Sequence, residues 1–389
     1  MQPSIFNTLV SHIPQARYQV TAPGRVNLLG EHVDYNDGWV LPAAIDRAVH
    51  LLAAPRPDRR VRLHALDLGQ SAEFDLDALD SKRSPQGEPL PSWALYPAGV
   101  AWALAQRGLP LSGVEAVFQS NVPIGAGLSS SAAVEVAFAA LWRLAGGWEM
   151  DNMTLAQVAQ AGEIGYVGVN CGLMDQFASA NGVADHAVCL DTRTLAWEAV
   201  PLPAGSVIVV ADSGVRRSLA TSAYNERRAA CEDAVRRLQT HLPTIRALRD
   251  VSSEQFAALS AHLPALTARR ARHVITECER VQTALELLKS AQAAPFGQLM
   301  YAGHASLRDD YEVSCPELDT LVEIARTLPG CWGARLTGAG FGGCTVNLVA
   351  EDAAQAFITE LRGQYQRTTG RSAEVYLCRA SQGVTAQTV

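Results

Sequence analysis

Residues 123–133 read PIGAGLSSSAA, and the reading of this stretch decides the reading of the whole chain. Gly125 and Gly127 let the backbone turn its N–H groups inward, and Ser129, Ser130 and Ser131 open an alanine-rich segment with apolar residues at helical spacing. A helix N-terminus behind such a loop adds positive potential. Loop and helix together therefore make an anion site suited to the phosphates of a nucleotide. The hydroxyls can serve phosphate oxygens or a magnesium ion, a hard cation that prefers oxygen donors. The pattern GxxxxGK[ST] is absent, so this is not a Walker site. Glycine and serine before a helix are also ordinary caps, and a short GxG by itself is a weak signal; the full string weighs the two readings evenly.

The chain around this loop has 389 residues, more than one hydrophobic core usually serves, so two domains are expected. Hydrophobic residues make up 48% and charged residues 18%, enough apolar material for a large core and against extensive disorder. The net charge of −7 argues against a nucleic-acid or anionic-membrane partner. Arg269, Arg270 and Arg272 read as a solvated helix face. Eight scattered cysteines without a CxxC pair, and nine histidines without an HExxH, point to reduced, mostly buried thiols in a cytoplasmic protein. MQPSIFNTLVSHIPQAR has no basic region leading into an apolar core, so no signal peptide is expected, nor is any apolar run of membrane-spanning length present.

Strands are expected at 18–22, 61–66 and 114–118, with residues 26–29 extended. Asn36-Asp37-Gly38 reads as a hairpin turn into the strand-like WVLPAAI. SKRSPQGEPLPSW (81–93) is a surface loop before a helix over 96–106. The serine loop opens a helix ended by Gly146-Gly147, and Thr154 caps a further helix towards Tyr166. Short strands return from Ala187, and 207–211 is an apolar strand after PLPAG. The domain junction is placed there, giving 1–204 and 205–389. The second half carries amphipathic helices over 222–241, 266–291 and 316–328, then a glycine-rich loop, the strand CTVNLV, a helix over 353–366 and a strand over 374–377. Strands and helices in this order suggest α+β layers.

Two further segments join the serine loop: GRVNLLGEHVDYNDG (24–38) and GARLTGAGFGGC (333–344). Together the three resemble the signature motifs of the GHMP small-molecule kinases, in that family's order and approximate spacing. The first segment resembles the galactokinase branch in particular, as does CGLMDQF (171–177). The resemblance spans residues 20–345. It implies a two-domain GHMP kinase fold, with a ribosomal-protein-like N-terminal domain of α+β type, a ferredoxin-like C-terminal domain, and the active site between them. It further implies transfer of the γ-phosphoryl of ATP, with Mg2+, to the C1 hydroxyl of galactose.

Residue roles follow from the same likeness. Asp175 matches the catalytic aspartate that accepts the hydroxyl proton, and Arg25 matches the arginine beside it, which offsets charge on the transferring group. Glu163 stands where the family places its magnesium carboxylate, with Ser131 as hydroxyl partner and Ser130 as the alternative. Glu31, His32, Asp34, Gly172, Asp175 and Tyr224 match positions that hold the sugar; carboxylates and imidazole suit a pyranose, each of whose hydroxyls needs a fixed partner. The nucleotide falls to Gly125, Ala126, Gly127, Leu128, Ser129, Ser130 and Ser131, with Trp93 and Tyr96 at the adenine pocket. The glycine-rich 337–344 loop has a supporting role close to the phosphate loop. Valine in GEHVDY and tryptophan in GWVLP depart from the family pattern without removing a polar group. Taken singly, most of these residues have plainer explanations: Asp175 as a cap, Glu163 as a solvated helical acid, Tyr224 as partial core.

Three alternatives stay open. One is a GHMP kinase for N-acetylgalactosamine or arabinose; a second is mevalonate, against which Glu31, His32 and Asp34 speak. The third is a non-catalytic galactose sensor, against which the presence of Arg25, Glu163 and Asp175 speaks. The expected partners are galactose and ATP, for a chain read as a monomer with an oligomer left open.

Overall fold

The computed structural model describes residues 5–216 and 220–389. The first four residues of the stretch read above for a signal peptide lie outside the described residues. Strands β1 (Tyr18–Asn27), β2 (Trp39–Val40), β3 (Pro42–Pro55), β4 (Arg60–Ala65), β5 (Gln70–Asp75) and β6 (Val114–Ser120) come from the first third of the chain. A last strand, β13 (Thr385–Thr388), arrives from the C-terminus. All of these but β2 form one sheet in the order β13-β1-β3-β6-β4-β5, antiparallel except for β4 beside β6.

The sheet explains why AVHLLAAP (48–55) is nearly apolar throughout. Val49, Leu51 and Ala53 face the main core, whereas Leu52 and Ala54 meet Leu9 of helix α1 (Ile5–His12), and Ile13 just past it, on the other side. A strand covered on both faces has no polar period to show. Helices α2 (Leu95–Gln106), α3 (Ser130–Gly146), α4 (Asn152–Gly162) and α5 (Met174–Asn181) build the main core, with α3 and α5 against β1 and β3.

In the second half β7 (His186–Asp191) and β8 (Trp197–Pro201) join β2 in a small sheet. Strands β9 (Ser206–Asp212), β10 (Cys331–Thr337), β11 (Cys344–Ala350) and β12 (Glu374–Cys378) form an antiparallel sheet in the order β10-β11-β9-β12. Its helices are α6 (Ala220–Leu238), α7 (Ser253–Leu259), α8 (Ala265–Lys289), α9 (Ala293–Asp309), α10 (Pro316–Thr327) and α11 (Ala354–Thr369). Alternation along β9 serves two cores. Val207, Val209 and Ala211 pack with Leu321, Phe357 and Leu361 of α10 and α11. Ile208 and Val210 face the other way, into a core shared with Val26, Leu28 and Leu29 of the first motif. These three apolar residues are fully buried, which is how a segment so rich in polar groups is held in place.

Several expectations change on contact with the structure. Asn36-Asp37-Gly38 does turn the chain, but through a 3-10 turn over Asp34–Asn36 with Asp37 left-handed at φ 59°. Of the WVLPAAI stretch, Trp39 and Val40 pair with β7, while Pro42, Ala43 and Ala44 open β3 and pair back with Asn27, Val26 and Arg25 of β1. Asp151, rather than Thr154, caps α4: its carboxylate accepts the Thr154 N–H at 2.8 Å. That helix closes at Gly162 into a single π turn over Glu163–Val167, a feature often found at functional sites. Strands β5, β10 and β13 and helices α1, α5, α7 and α9 were not expected. Strand β13 lies beyond residue 204 yet pairs with β1, covering an edge of the first sheet that would otherwise be open.

Candidate active site

The first motif is built as a hub between two loops. A bulge between Pro23 and Arg25 interrupts the β1–β3 register and re-aims the strand. With Val26 pointing into the shared core, Arg25 and Asn27 turn the opposite way. Arg25 then meets the phosphate loop: its N–H donates to the Leu128 carbonyl at 3.1 Å and its Nη1 to the Gly127 carbonyl at 2.6 Å. The same guanidinium reaches Asp175, in the first turn of α5, with Nε at 2.9 Å and Nη2 at 2.6 Å from Oδ1.

The glycine-rich loop after β10 joins from the other side. Thr337 Oγ1 accepts the Asn27 N–H at 2.9 Å, and Gly338 N–H donates to Glu31 Oε1 at 2.6 Å. Gly338 needs its missing side chain, because a Cβ there would lie 2.8 Å from the Gly127 carbonyl oxygen. The third motif thus packs directly on the phosphate loop.

Arg25, Glu31, His32, Asp34, Glu163, Gly172, Asp175 and Tyr224 all border one cavity of about 240 Å³, together with Cys171, Met174, Asn225 and Ala339. Burial dominates its electrostatics. It raises the Glu31 carboxyl despite Arg335 and Arg25, and it pushes Asp34 up to about 7, with Asp175 and Glu31 adding repulsion. Gly172 makes room for that carboxylate: a Cβ would sit 1.7 Å from Asp34 Oδ2. His32 is lowered to about 3, first by burial and then by His273, so its ring is neutral at pH 7.

The hydrogen bonds settle its tautomer. The Ala339 carbonyl can only accept, so Nε2 is the donor at 3.1 Å and Nδ1 accepts from the Tyr35 hydroxyl at 2.9 Å. Tyr35 in turn accepts from Tyr311 at 2.8 Å, and the Cys231 thiol donates to Tyr311 at 3.3 Å. Both His32 nitrogens are therefore taken by the protein. Its place at the cavity wall is one of packing, with the Tyr224 ring centroid 5.5 Å away, and of tethering Ala339.

On the other side of the phosphate loop, Trp93, Tyr96, Gly125, Ser130 and Ser131 border a second cavity of about 580 Å³. The Trp93 indole N–H donates to Gln70 Oε1 at 2.7 Å, which fixes the ring at the cavity edge. Ser129 is left-handed at φ 59° and turns the chain into α3, whose first-turn N–H groups have no intrahelical partner. Ala126 and Leu128 are buried in the shared core, so only their backbone is open to a ligand. Arg216, beside Gly125 and paired with Asp212 at 2.6 Å, is a further cation here that the motifs did not single out.

Glu163 and Ser131 border different cavities. Both hydrogen bonds to Glu163 end on Oε2, from Gln176 at 2.6 Å and Cys171 at 3.2 Å. Among the described residues no three His, Cys, Asp or Glu side chains converge to hold a metal by themselves. An all-oxygen pair of one carboxylate and one hydroxyl fits a hard cation that takes its remaining ligands from phosphates and water.

A glycine- and serine-rich loop opening α3 thus faces the Arg25–Asp175 pair. The GHMP kinases N terminal domain matches residues 96–183 and the GHMP kinases C terminal domain residues 266–367, while the galactokinase galactose-binding signature matches residues 6–55. A galactokinase of Roseiflexus sp. (strain RS-1) is 49% identical over 365 residues, 94% of this chain and 92% of its own length. One from Chloroflexus aurantiacus is 48% identical over 365 residues, 93% of this chain and 92% of its own. The crystal structure of Lactococcus lactis galactokinase complexed with galactose superposes with a TM-score of 0.89 at 37% identity, covering 95% of each chain. Methanococcus jannaschii mevalonate kinase shares the fold alone, at 18% identity and a TM-score of 0.67 over 94% of this chain and 99% of its own. The chain belongs to the galactokinase family of the GHMP kinases, and it is a kinase with that family's two-domain fold.

Sequence reasoning missed Tyr35, Tyr311, Glu135 and Gln176. Glu135 carried a usable signal, since it stands one helical turn after Ser131. The tyrosine pair carried none, because Tyr35 and Tyr311 meet only through tertiary packing.

Proposed function

We propose that the protein phosphorylates D-galactose at the C1 hydroxyl with ATP, giving galactose 1-phosphate and ADP. The observation that carries this reading is the Arg25 guanidinium, which bonds Asp175 at the sugar-side cavity and the Gly127 carbonyl of the phosphate loop at once. A phosphoryl group passing between the two cavities would cross that guanidinium, which offsets its charge. Asp175 accepts the proton of the attacking hydroxyl. Glu31, Asp34 and Tyr224 hold the sugar hydroxyls, Gly172 gives the Asp34 carboxylate its space, and His32 positions the wall rather than bonding through a nitrogen. The loop from Gly125 to Ser131 receives the phosphates, and Trp93 and Tyr96 the adenine. Ser131 and Glu163 would hold Mg2+, which when bound neutralises phosphate charge. Free cysteines throughout support a cytoplasmic setting.

The test is ADP release across a sugar panel with Mg2+. Turnover on galactose is expected; no turnover on galactose, with or without turnover on N-acetylgalactosamine, arabinose or mevalonate, refutes the assignment. Asp34 supplies a second expectation. Below about 7 its carboxyl is protonated and loses acceptor capacity, so galactose binding should weaken by roughly tenfold per pH unit below that point. Calorimetric titrations between mildly acidic and mildly alkaline pH measure it, and a flat profile rules the Asp34 contact out.

A further inference from the structure

Glu135 is fully buried on α3, on the face it shares with Ser131. Gln176, the neighbour of Asp175, donates both hydrogens of its amide nitrogen: one to Glu135 Oε2 at 2.8 Å, the other to Glu163 Oε2 at 2.6 Å. The nitrogen must face these groups, since a carboxylate only accepts. Cys171 adds its thiol to the same Glu163 oxygen, so Glu163 Oε2 is occupied and Oε1 is left for a ligand. Glu135 Oε1 is buried and has no partner among the described residues.

Two buried carboxylates therefore share one neutral amide. Arg25, which borders the first cavity with Glu163, is committed to Asp175 and to Gly127. Like charges so placed are costly unless a proton or a cation joins them. A magnesium ion also brings its own donors, because it keeps several of its waters when bound. An orphan carboxylate oxygen near such a shell has a partner that the protein does not supply.

We propose that Glu135 is a positioning residue for the divalent cation: through Gln176 it holds Glu163 with Oε1 open to the ion, while its own Oε1 accepts from the ion's hydration water. This rests on the reading of Ser131 and Glu163 as the cation's protein ligands. It assigns a function to a buried acid that borders neither cavity.

The test is Mn2+ titration of the full chain in the presence of ADP, followed by electron paramagnetic resonance, with galactose affinity measured calorimetrically on the same samples. Glu135→Ala should weaken Mn2+ binding by about 10–100-fold and leave galactose binding unchanged. Glu135→Gln, which keeps one acceptor for the Gln176 amide, should lose less. Gln176→Met, which cuts the link and keeps Glu135, should lose as much as Glu135→Ala and stands in for it if that variant fails to fold. Unchanged Mn2+ affinity in Glu135→Ala or Gln176→Met overturns the proposal, and so does an equal loss of galactose affinity. Glu163→Gln separates the two levels. If it leaves Mn2+ affinity intact, the cation reading itself fails; if it weakens Mn2+ while Glu135→Ala and Gln176→Met do not, only the role of Glu135 fails.

Discussion

Asp175→Asn is expected to lower kcat for galactose phosphorylation by roughly 10²–10⁴-fold and to leave galactose affinity near that of the unaltered protein. The substitution keeps the shape of the side chain and one acceptor for Arg25, but an amide cannot take the hydroxyl proton. Arg25 stays anchored through its two bonds to the phosphate loop, at the Leu128 and Gly127 carbonyls, so the cavity wall is not expected to collapse. In barrier terms the loss is about 3–5.5 kcal/mol. Coupled measurement of ADP release gives kcat, and calorimetry gives the sugar affinity. Near-normal turnover in this variant would remove Asp175 from the mechanism.

Glu277→Leu is the second large effect, and it acts on stability. Glu277 of α8 and Arg335 of β10 are both fully buried, with Arg335 Nη1 2.9 Å from Glu277 Oε1. The same carboxylate accepts the Gly30 N–H at 2.8 Å and the Arg280 Nε at 2.7 Å, while Arg335 Nη1 also donates to the Leu28 carbonyl at 3.1 Å. The pair thus ties the first motif to the second half of the chain. Removing the acid leaves a buried guanidinium without its counter-charge, a loss of about 3–5 kcal/mol. Chemical denaturation reads it directly, and a variant as stable as the parent contradicts the assignment.

The pH dependence has a definite sign. Burial opposes the charge on Glu277, but Arg280 and Arg335 outweigh it and hold the carboxyl below its ordinary 4.5. On acidification the unfolded chain therefore binds this proton before the native one does. The contribution is complete above 4.5 and is lost as pH falls below it. Glu277→Leu should remove that part of the acid sensitivity.

What the sequence determined by itself was local. The Ser129–Ser131 loop and the helix behind it were legible because glycine and serine before an apolar run have a short-range physical meaning. The helices over 266–291 and 316–328 were legible because their apolar periods survive burial on one side, and the strand at 207–211 because a short unbroken apolar run after PLPAG suits a strand buried on both faces. Strand β3 and helix α9 were less so: Leu51 and Leu52 are buried on opposite faces of one strand, and a doubly covered element has no period to read. The motifs likewise pointed to Arg25, Glu31, Asp34, Glu163, Gly172, Asp175 and Tyr224, which the fold gathers at one cavity. Only the tertiary structure decided what each group bonds to. His32 spends both nitrogens on Ala339 and Tyr35, Glu135 meets Glu163 through Gln176, and β13 closes the first sheet from the far end of the chain. All but the His32–Tyr35 contact join residues from 13 to over 300 positions apart, and no spacing in a linear sequence encodes a contact that chain folding alone creates.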